Sequence, residues 1–338
     1  MKNLDIYKDI AERTDGDIYV GVVGPVRTGK STFIKKFMEL LVLPNIDNEY
    51  KRERAIDELP QSAAGKTIMT TEPKFIPNEA VEITIADNLK LKTRMVDCVG
   101  YLVNNAIGYL EDDMPRMVKT PWYEEEIPFE EAAEIGTRKV IAEHSTIGIL
   151  VTTDGSITDI PREDYINAEE RVVKELKELN KPFVIVLNSD DPFSDYTKAL
   201  AKKLEEKYGV SVLPTDCARL DIEDIDDIFS KILYEFPIET INIDFPRWVD
   251  GLPDDHWLKV ELYDEIEKAF DNIRILKQVD SSIGQLQNTK VITRTSLTEV
   301  RLGEGSVRVS IELVDELFYK VLTEISGVEI DNEGALFS

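Results

Sequence analysis

One short glycine-containing segment near the N-terminus constrains this chain more than any other. The apolar residues 18–23 lead into Gly24, and residues 24–31 read Gly-Pro-Val-Arg-Thr-Gly-Lys-Ser. The residues that follow place Phe33 and Phe37 at helical spacing. A strand, a glycine-containing loop and a helix in this order are the context of a phosphate-binding loop. The sequence therefore predicts a site for a nucleoside triphosphate.

The residue types at the fixed positions of this loop have definite chemical roles. Gly24 and Gly29 permit backbone angles and close approaches that a side chain would prevent. The main-chain N–H groups of the loop and of the helix N-terminus are expected to face the α- and β-phosphates. Lys30 is expected to reach the β- and γ-phosphates, and Ser31 to offer its hydroxyl to Mg²⁺. The predicted nucleotide contacts in this loop are Gly24, Pro25, Val26, Arg27, Thr28, Gly29, Lys30, Ser31 and Thr32.

Charge and composition argue against several classes of function. The chain has 66 acidic and 40 basic residues and a formal net charge of −26, so nucleic acid and anionic lipid are disfavoured partners. No apolar run approaches the ~20 residues of a membrane span. The charged N-terminal residues Asp5, Lys8 and Asp9 argue against a secretory signal. Cys98 and Cys217 have no metal-binding spacing, which predicts a reducing, cytoplasmic environment.

Alternating strand and helix patterns set the expected fold class. Residues 81–86 and 92–96 read as a hairpin, whereas residues 43–58 and 101–129 show little periodicity and are expected to be irregular. A mostly parallel sheet with helices on both faces, an α/β fold of the P-loop GTPase-like class, is expected. The other predicted helices cover residues 4–13, 130–143, 163–179, 195–208 and 222–234, and the other strands residues 146–151, 183–187 and 210–213.

A change in composition after residue 236 predicts a second domain. Residues 1–236 are assigned to the nucleotide-binding domain and residues 237–338 to a small α+β domain. The second domain is expected to contain helices over residues 258–278 and 314–325, with two strands around residues 302–306. Its polar residues show no catalytic spacing, which favours a packing or assembly module.

Asp97 is the predicted acidic partner of Mg²⁺. It ends an apolar strand, and open α/β sheets place ligands at the carboxyl ends of their strands. The spacing Asp97-x-x-Gly100 is the one by which GTPase-like proteins present a glycine N–H to the γ-phosphate. Cys98 stands where many Walker-type ATPases carry a glutamate, so no general base is predicted there.

Two adjacent threonines between the phosphate-binding loop and Asp97 are candidate switch residues. Thr70 and Thr71 lie where GTPase-like proteins keep a threonine whose hydroxyl joins Mg²⁺ and whose carbonyl holds the attacking water. The sequence leaves open which of the two is the ligand. Tyr101 follows Gly100, where fast GTPases carry a water-orienting glutamine, so hydrolysis is expected to be slow.

The segment after the strand at residues 183–187 is the expected base-recognition site. It begins with Asn188, and Ser189 replaces the lysine of the guanine-reading pattern Asn-Lys-x-Asp. Asp191 keeps the position of the carboxylate that reads guanine, and a carboxylate there would repel the N1 lone pair of adenine. These residues alone therefore leave ATP and GTP as alternatives.

Arg27 is the unusual residue of the loop. Some GTPase-like proteins without the catalytic glutamine have an asparagine at this position, which binds a potassium ion next to the β- and γ-phosphates. A guanidinium is permanently charged and matches phosphate oxygens. Arg27 is therefore predicted to replace that ion, as an arginine finger supplied in cis. The alternative is an arginine that pairs with a surface carboxylate or reaches a neighbouring subunit.

Five motifs of the chain form a pattern, at residues 24–32, 59–75, 96–100, 120–125 and 137–141. Together they resemble the stage IV sporulation protein A family, the spore-coat morphogenetic ATPases of endospore-forming bacteria. The resemblance implies a GTPase-like fold that uses ATP hydrolysis to polymerise into the basement layer of the coat. It also implies Lys30 as the Walker lysine, Thr70 and Thr71 as threonines of hydrolysis, and Asp97 on the Mg²⁺ side.

The resemblance further implies partners and a location. Self-association, the amphipathic membrane-anchoring sporulation protein VM and the morphogenetic protein VID are the expected partners. The expected location is the mother-cell cytoplasm, at the outer forespore membrane. The family continues into a C-terminal domain that docks the membrane peptide, whereas this sequence ends at Ser338, and a truncated chain would account for that difference.

Two other functions compete with an ATP-hydrolysing assembly protein. A regulatory GTPase switch that recruits a partner without polymerising is favoured by Asp191. A nucleotide-binding scaffold without turnover is compatible with the lack of an assured general base. Ser189, Tyr101 and the family resemblance favour the ATPase.

Overall fold

The structure is a computed structural model that describes residues 2–60, 73–85, 89–103, 110–111, 114–115, 117–120, 123–287 and 289–336. The chain divides into two compact units, Met1–Glu235 and Phe236–Ser338. The elements of the first unit in chain order are α1 (Lys2–Arg13), β1 (Asp17–Val23), α2 (Lys30–Phe37), α3 (Glu49–Asp57), β2 (Lys74–Ile85), β3 (Leu89–Asp97), β4 (Leu110–Glu111), β5 (Met114–Pro115), β6 (Met117–Thr120), β7 (Tyr123–Pro128), α4 (Phe129–His144), β8 (Ile147–Thr153), α5 (Arg162–Glu178), β9 (Phe183–Asn188), α6 (Asp195–Tyr208), β10 (Val212–Thr215) and α7 (Ile222–Tyr234).

A six-stranded sheet with the strand order β10-β9-β8-β1-β3-β2 forms the centre of the first unit. The strands from β10 to β3 pair in parallel, and β2 pairs antiparallel with β3. Every residue of β8 and of β9 is buried. Because successive residues of a strand point to opposite faces, this burial requires cover on both faces of the sheet. The predicted α/β fold class is therefore confirmed.

Helices with one apolar stripe provide that cover. Tyr165, Val172 and Leu176 of α5 lie in one hydrophobic cluster with Leu150 of β8 and Ile185 of β9. A separate aromatic group holds three other helices, α1, α2 and α7, together. In it the Phe229 ring packs edge-on against Tyr7 at 5.7 Å and against Phe37 at 5.8 Å between ring centroids. Buried apolar area of this kind is the main stabilising contribution to such a unit.

Two segments that were expected to be irregular contain regular structure. In residues 43–58, a short 3-10 turn (Leu43–Asn45) is followed by α3. Only Ala55 of α3 is buried, so the helix has no apolar stripe that periodicity could detect. Its N-terminus is instead capped by the Asn48 side chain, which accepts a hydrogen bond of 2.9 Å from the Lys51 N–H. In residues 101–129 the strands β6 and β7 form an antiparallel pair.

The second unit contains a three-stranded sheet. Its strands lie in the order β11 (Thr240–Asp244), β13 (Ser306–Leu313) and β12 (Ile292–Arg301). Leu258 and Leu262 of its longest helix pack in one core with Val307 and Val309 of β13. The sequence indicated β12 and β13 but missed β11, which lies at the sheet edge with alternate residues exposed. Its elements in chain order are β11 (Thr240–Asp244), α8 (Arg247–Asp250), α9 (Trp257–Phe270), α10 (Val279–Gln285), β12 (Ile292–Arg301), β13 (Ser306–Leu313), α11 (Asp315–Ser326) and α12 (Glu333–Leu336).

The single helix predicted over residues 258–278 is wrong, because α9 ends at Phe270. Beyond it the chain turns at residues 271–272, and Ile275 forms an isolated antiparallel bridge with Pro237 at the start of the unit before a short 3-10 helix (Leu276–Gln278). The Ile238 N–H donates to the Arg274 carbonyl at 3.1 Å, and the Leu276 N–H donates to the Phe236 carbonyl at 3.2 Å. These main-chain bonds satisfy groups that a continuous helix would have used internally.

Both edges of the six-stranded sheet carry a proline. Pro214 lies in the edge strand β10. The Ser211 carbonyl just before this strand accepts from the Ile185 N–H of β9, and the Thr215 carbonyl accepts from the Ser189 N–H just after β9. Because main-chain groups alternate sides along a strand, the position of Pro214 faces away from β9. At the other edge, the register of β2 against β3 shifts between Ile76 and Val81, and Pro77 lies in this bulge.

Candidate functional site

The loop between β1 and α2 is held in a conformation that requires its two glycines. Gly24 has φ +139° and Gly29 has φ +92°, both in the region that favours glycine. A Cβ on Gly24 would lie 2.2 Å from the Val151 carbonyl oxygen, and one on Gly29 would lie 2.3 Å from Asn188 Nδ2. The predicted reason for these glycines, close approach as well as backbone freedom, therefore agrees with the geometry.

Lys30 is buried inside this loop. Its Nζ donates to the Pro25 carbonyl at 2.7 Å and to the Gly24 carbonyl at 3.3 Å. Burial lowers the pKa of Lys30 to about 8, against the opposing attraction of Asp97. The Thr28 hydroxyl also donates to the Pro25 carbonyl, at 3.0 Å. Two main-chain carbonyls thus hold the Lys30 ammonium inside the loop.

Ser31 and Asp97, both predicted ligands of Mg²⁺, lie side by side. The Ser31 hydroxyl donates to Asp97 Oδ2 at 2.9 Å. Burial raises the pKa of Asp97, although Lys30 and the Ser31 hydrogen bond act in the opposite direction. Asp97 is brought here by the parallel pairing of β3 with β1, which aligns Asp97 with Val22. The other predicted ligand, Thr70, and its neighbour Thr71 lie outside the described residues.

Gly100 lies against the loop with no room for a side chain. A Cβ at this position would be 2.6 Å from Lys30 Nζ and 2.7 Å from the Val26 nitrogen. Tyr101, the next residue, pairs with the loop through its main chain and is buried. The structure thus places Gly100 beside the phosphate-binding loop, and the contact of its N–H with the γ-phosphate stays a prediction.

Arg27 occupies an unusual backbone conformation at the outer part of the loop. Its φ is +63°, and its Nη2 is buried without a hydrogen-bond partner among the described residues. Arg27 lies close enough to Tyr165 for its charge to lower the pKa of that phenol, which burial raises. Within the described part of the chain, no carboxylate forms an ion pair with Arg27. The expected alternative, pairing with a surface carboxylate, thus finds no partner there.

Asn188 connects the loops that meet at the carboxyl end of the sheet. Its Nδ2 donates to the Thr28 carbonyl at 3.0 Å, and its Oδ1 accepts from the Cys217 N–H at 3.0 Å. The following residue, Ser189, is turned inward, with its hydroxyl 3.3 Å from Thr197 Oγ1 of α6. Asp191 is exposed. The side chain that replaces the base-stacking lysine therefore points into the protein.

Asp154 is a polar residue at the carboxyl end of the sheet that the sequence analysis did not identify. Its Oδ1 accepts from the Ser156 N–H at 2.9 Å, and its Oδ2 accepts from the Thr197 hydroxyl at 3.0 Å. Burial raises the pKa of Asp154, but hydrogen bonds from Ser156, Ser189 and Thr197 outweigh burial and lower it. An available signal was its position directly after the buried strand β8, where ligand-binding loops begin.

A buried ion pair supports the loop that follows Asp154. Arg162 Nη2 lies 2.7 Å from Glu169 Oε1, and the Thr152 hydroxyl donates to Glu169 Oε2 at 2.6 Å. The Tyr208 hydroxyl also donates to Glu169 Oε1, at 2.8 Å. A buried pair is tolerated only when its remaining donors and acceptors are satisfied in this way. The network holds Thr152 and Arg162, and so fixes both ends of the segment 153–161 beside the phosphate-binding loop.

The described residues show neither a metal-binding cluster nor a membrane-spanning helix. They contain no cluster of three or more His, Cys, Asp and Glu side chains that could hold a metal ion by itself. In the same residues, no helix combines the length and the apolar character that crossing a membrane demands.

The fold and this site define a P-loop nucleotide-binding protein. Two family models match the chain: the ATPase domain of stage IV sporulation protein A over residues 1–237 and the middle domain of that protein over residues 238–338. The chain therefore belongs to the stage IV sporulation protein A family, which confirms the resemblance stated from the motifs. Membership in a family with an ATPase domain supports nucleotide binding and ATP hydrolysis.

Curated relatives carry the same family name. The chain is 53% identical to stage IV sporulation protein A of Bacillus subtilis (strain 168) over 330 residues, which are 98% of this chain and 67% of that protein. It is 52% identical to the Bacillus anthracis protein of that name, with the same shares covered. It is 50% identical to the Clostridioides difficile (strain 630) protein over 336 residues, 99% of this chain and 68% of that protein.

Proposed function

We propose that this chain binds Mg·ATP in the loop between β1 and α2 and hydrolyses the β–γ phosphoanhydride slowly. We propose that hydrolysis drives self-assembly into the basement layer of the spore coat around the forespore. The observation that carries the proposal is the contact of Ser31 with Asp97 at 2.9 Å beside the buried Lys30. This places a hydroxyl, a carboxylate and an ammonium at one phosphate-binding loop of a family with an ATPase domain.

The residues present fit a magnesium ion bound with a nucleotide. Mg²⁺ in such sites takes one or two protein oxygens and completes its shell with phosphate oxygens and water, so it needs no cluster of carboxylates. Ser31 and Asp97 would hold it, together with Thr70 or Thr71. When bound, Mg²⁺ supplies charge neutralisation at the β- and γ-phosphate oxygens. The Ser31–Asp97 hydrogen bond keeps both oxygen ligands on the side of the loop where Lys30 lies.

The chain's own residues supply the remaining roles. Lys30 would exchange its two carbonyl partners for phosphate oxygens, because a charge-assisted bond to phosphate is stronger than one to a neutral carbonyl. Arg27 would place its buried, unpartnered Nη2 on the charge that develops during cleavage. Slow hydrolysis follows from Tyr101, whose hydroxyl is committed to Glu175 and cannot orient a water.

We infer that the base pocket takes adenine. The inward-turned Ser189 offers no aliphatic stem to stack on guanine, and Asp191 is predicted to point away from the base. Hydrogen bonds fix Asn188 between two loops, which makes it a scaffold of the pocket. The retained spacing of Asp191 favours the second candidate, a regulatory GTPase switch that recruits a partner without polymerising.

We assign nucleotide hydrolysis to residues 1–236 and assembly contacts to residues 237–338. By the family resemblance, the partners besides the chain itself are the small amphipathic sporulation protein VM and the morphogenetic protein VID. The location that follows is the mother-cell cytoplasm at the outer forespore membrane. The net charge of −26 supports an adaptor at that anionic surface, since the chain itself would be repelled.

Phosphate release from ATP and from GTP, measured side by side and followed by sedimentation, tests this function. We expect slow release from ATP, less from GTP, and sedimentable material only after ATP hydrolysis. Lys30→Ala should abolish release by weakening binding, whereas the control Lys35→Ala, a half-buried lysine of the same helix, should behave as wild type. GTP turnover well above ATP turnover would favour the switch, and sedimentation without nucleotide would separate assembly from hydrolysis.

A further inference from the structure

Tyr101 is joined to the phosphate-binding loop through its main chain. The Val26 N–H donates to the Tyr101 carbonyl at 2.8 Å, and the Tyr101 N–H donates to the Gly24 carbonyl at 3.2 Å. These two bonds extend the pairing of β3 and β1 beyond the ends of both strands. The segment after Asp97 is therefore a continuation of the sheet at this point.

The Tyr101 side chain fixes the same segment from the other end. It is 2% exposed, and its hydroxyl donates to Glu175 Oε2 of α5 at 2.5 Å. Burial raises the pKa of Tyr101 strongly, and the Glu175 carboxylate adds to this, so the phenol stays protonated as a donor. From α4, the Thr137 hydroxyl donates to the Val99 carbonyl at 3.2 Å. Both helices thus hold residues 99–101 in place.

Gly100 lies between Val99 and Tyr101, next to the ammonium nitrogen of Lys30. The space beside its Cα is closed by Lys30 Nζ and by the Val26 nitrogen. Hydrogen bonds weaken steeply when their geometry is lost, so a small shift of this segment would misplace the Gly100 N–H for a phosphate bound in the loop.

We propose that Tyr101 is a positioning residue that locks Gly100 against the phosphate-binding loop in every nucleotide state. Residues 99–101 then act as a fixed wall for the terminal phosphate, and they do not move between the ATP and ADP states. The proposal rests on the proposed function, because it names a part of the same site. Tyr101 would thus keep the geometry of the site constant, in the place of a mobile catalytic residue.

Amide hydrogen exchange provides the first test. In wild-type protein, the Val26 and Tyr101 amides should be equally protected with ADP and with a non-hydrolysable ATP analogue. Exchange at these two amides that is fast with ADP and slow with the analogue would overturn the proposal, since that is the behaviour of a mobile switch. This measurement needs no variant, so it decides the question even if a substitution at Tyr101 prevents folding.

Nucleotide affinity provides the second test. Tyr101→Phe should lower kcat and the affinity for the ATP analogue about tenfold, while ADP affinity stays within about twofold, because Gly100 faces only the terminal phosphate. Glu175→Gln keeps a hydrogen-bond acceptor and should retain wild-type behaviour. The control is Tyr7→Phe, which removes an equally buried phenol that donates to Asp226 at 2.7 Å, between α1 and α7.

The outcomes separate this inference from the proposed function. If Tyr101→Phe loses stability as Tyr7→Phe does but keeps the wild-type ratio of analogue to ADP affinity, Tyr101 is only a core residue and the inference fails. The proposed function would survive that result. If wild-type protein binds neither nucleotide, both fail together.

Discussion

Arg27 combines a strained backbone with an unsatisfied buried donor, and removing it should stabilise the protein while stopping turnover. Among the described residues other than glycine, the positive φ angles belong to Asp15, Asn180 and Arg27, and only Arg27 is of a type that rarely adopts them. A left-handed conformation costs a residue with a long side chain roughly 1–2 kcal/mol. An unpaired buried donor such as its Nη2 costs about 1–3 kcal/mol.

Two variants separate the cost of the left-handed backbone conformation from the cost of the unpaired buried donor. Arg27→Gly relieves both contributions and loses about 0.5–1 kcal/mol through the extra freedom of glycine in the unfolded chain. Its free energy of unfolding should therefore exceed that of wild type by about 1–4.5 kcal/mol without nucleotide. Arg27→Ala keeps the strain and should lie between the two proteins. Urea denaturation monitored on the nucleotide-free protein gives the comparison.

ATP turnover should fall in these variants although their stability rises. Both variants should lose ATP hydrolysis, because the guanidinium that neutralises developing charge is gone, and wild-type turnover should not change when sodium replaces potassium. Arg52→Ala, at a half-buried arginine of α3, is the control and should leave both stability and turnover unchanged. Turnover that survives in Arg27→Ala, or that rises steeply with potassium, would show that Arg27 is not the missing cation. A destabilised Arg27→Gly would refute the strain argument.

Three further outcomes are expected. The folded-state pKa of Lys30, about 8 against 10.5 in the unfolded chain, means that the unfolded chain binds more protons between these values. The free energy of unfolding of wild type, minus that of Lys30→Met, should therefore rise by about 2 kcal/mol between pH 7.5 and pH 10. Urea titrations at each pH measure this difference, and a difference that does not change with pH would refute the burial of the Lys30 charge. Replacing Thr70 and Thr71 together by alanine should spare ATP binding in calorimetry and abolish phosphate release, and normal release would remove both from the mechanism. Asp191→Ala should leave the preference for ATP unchanged in competition binding, since its carboxylate is predicted to avoid the base.

Local patterns predicted the elements that hold the phosphate-binding loop. Strand β1, the glycines of the loop and the helix α2 follow from residues within about twenty positions of one another. Asp97 could be placed beside Ser31 because strand ends in a parallel sheet meet at one edge. The helices α6 and α7 agree with their predicted bounds because each has an apolar stripe and a capping residue, Ser194 and Asp221 respectively.

The remaining parts of the site depend on contacts between distant segments. Nothing near Tyr101 in the sequence indicates that its hydroxyl meets Glu175, 74 positions away. The Asn188 amide bonds to Thr28, 160 positions away, and this contact exists only when the sheet is assembled. Helix α3 was missed because its stability comes from a cap and from exposed charges, which leave no periodic signal.

The two prolines at the edges of the six-stranded sheet limit how copies of this chain can associate. An open sheet edge ordinarily recruits a further strand, and continued recruitment produces amyloid-like stacking. Pro214 removes one outward donor of β10, and the bulge around Pro77 interrupts β2, so neither edge of this sheet can template a continuous ladder. Copies of this chain that meet at the six-stranded sheet must therefore do so through side-chain surfaces, which can separate again more easily than an added strand.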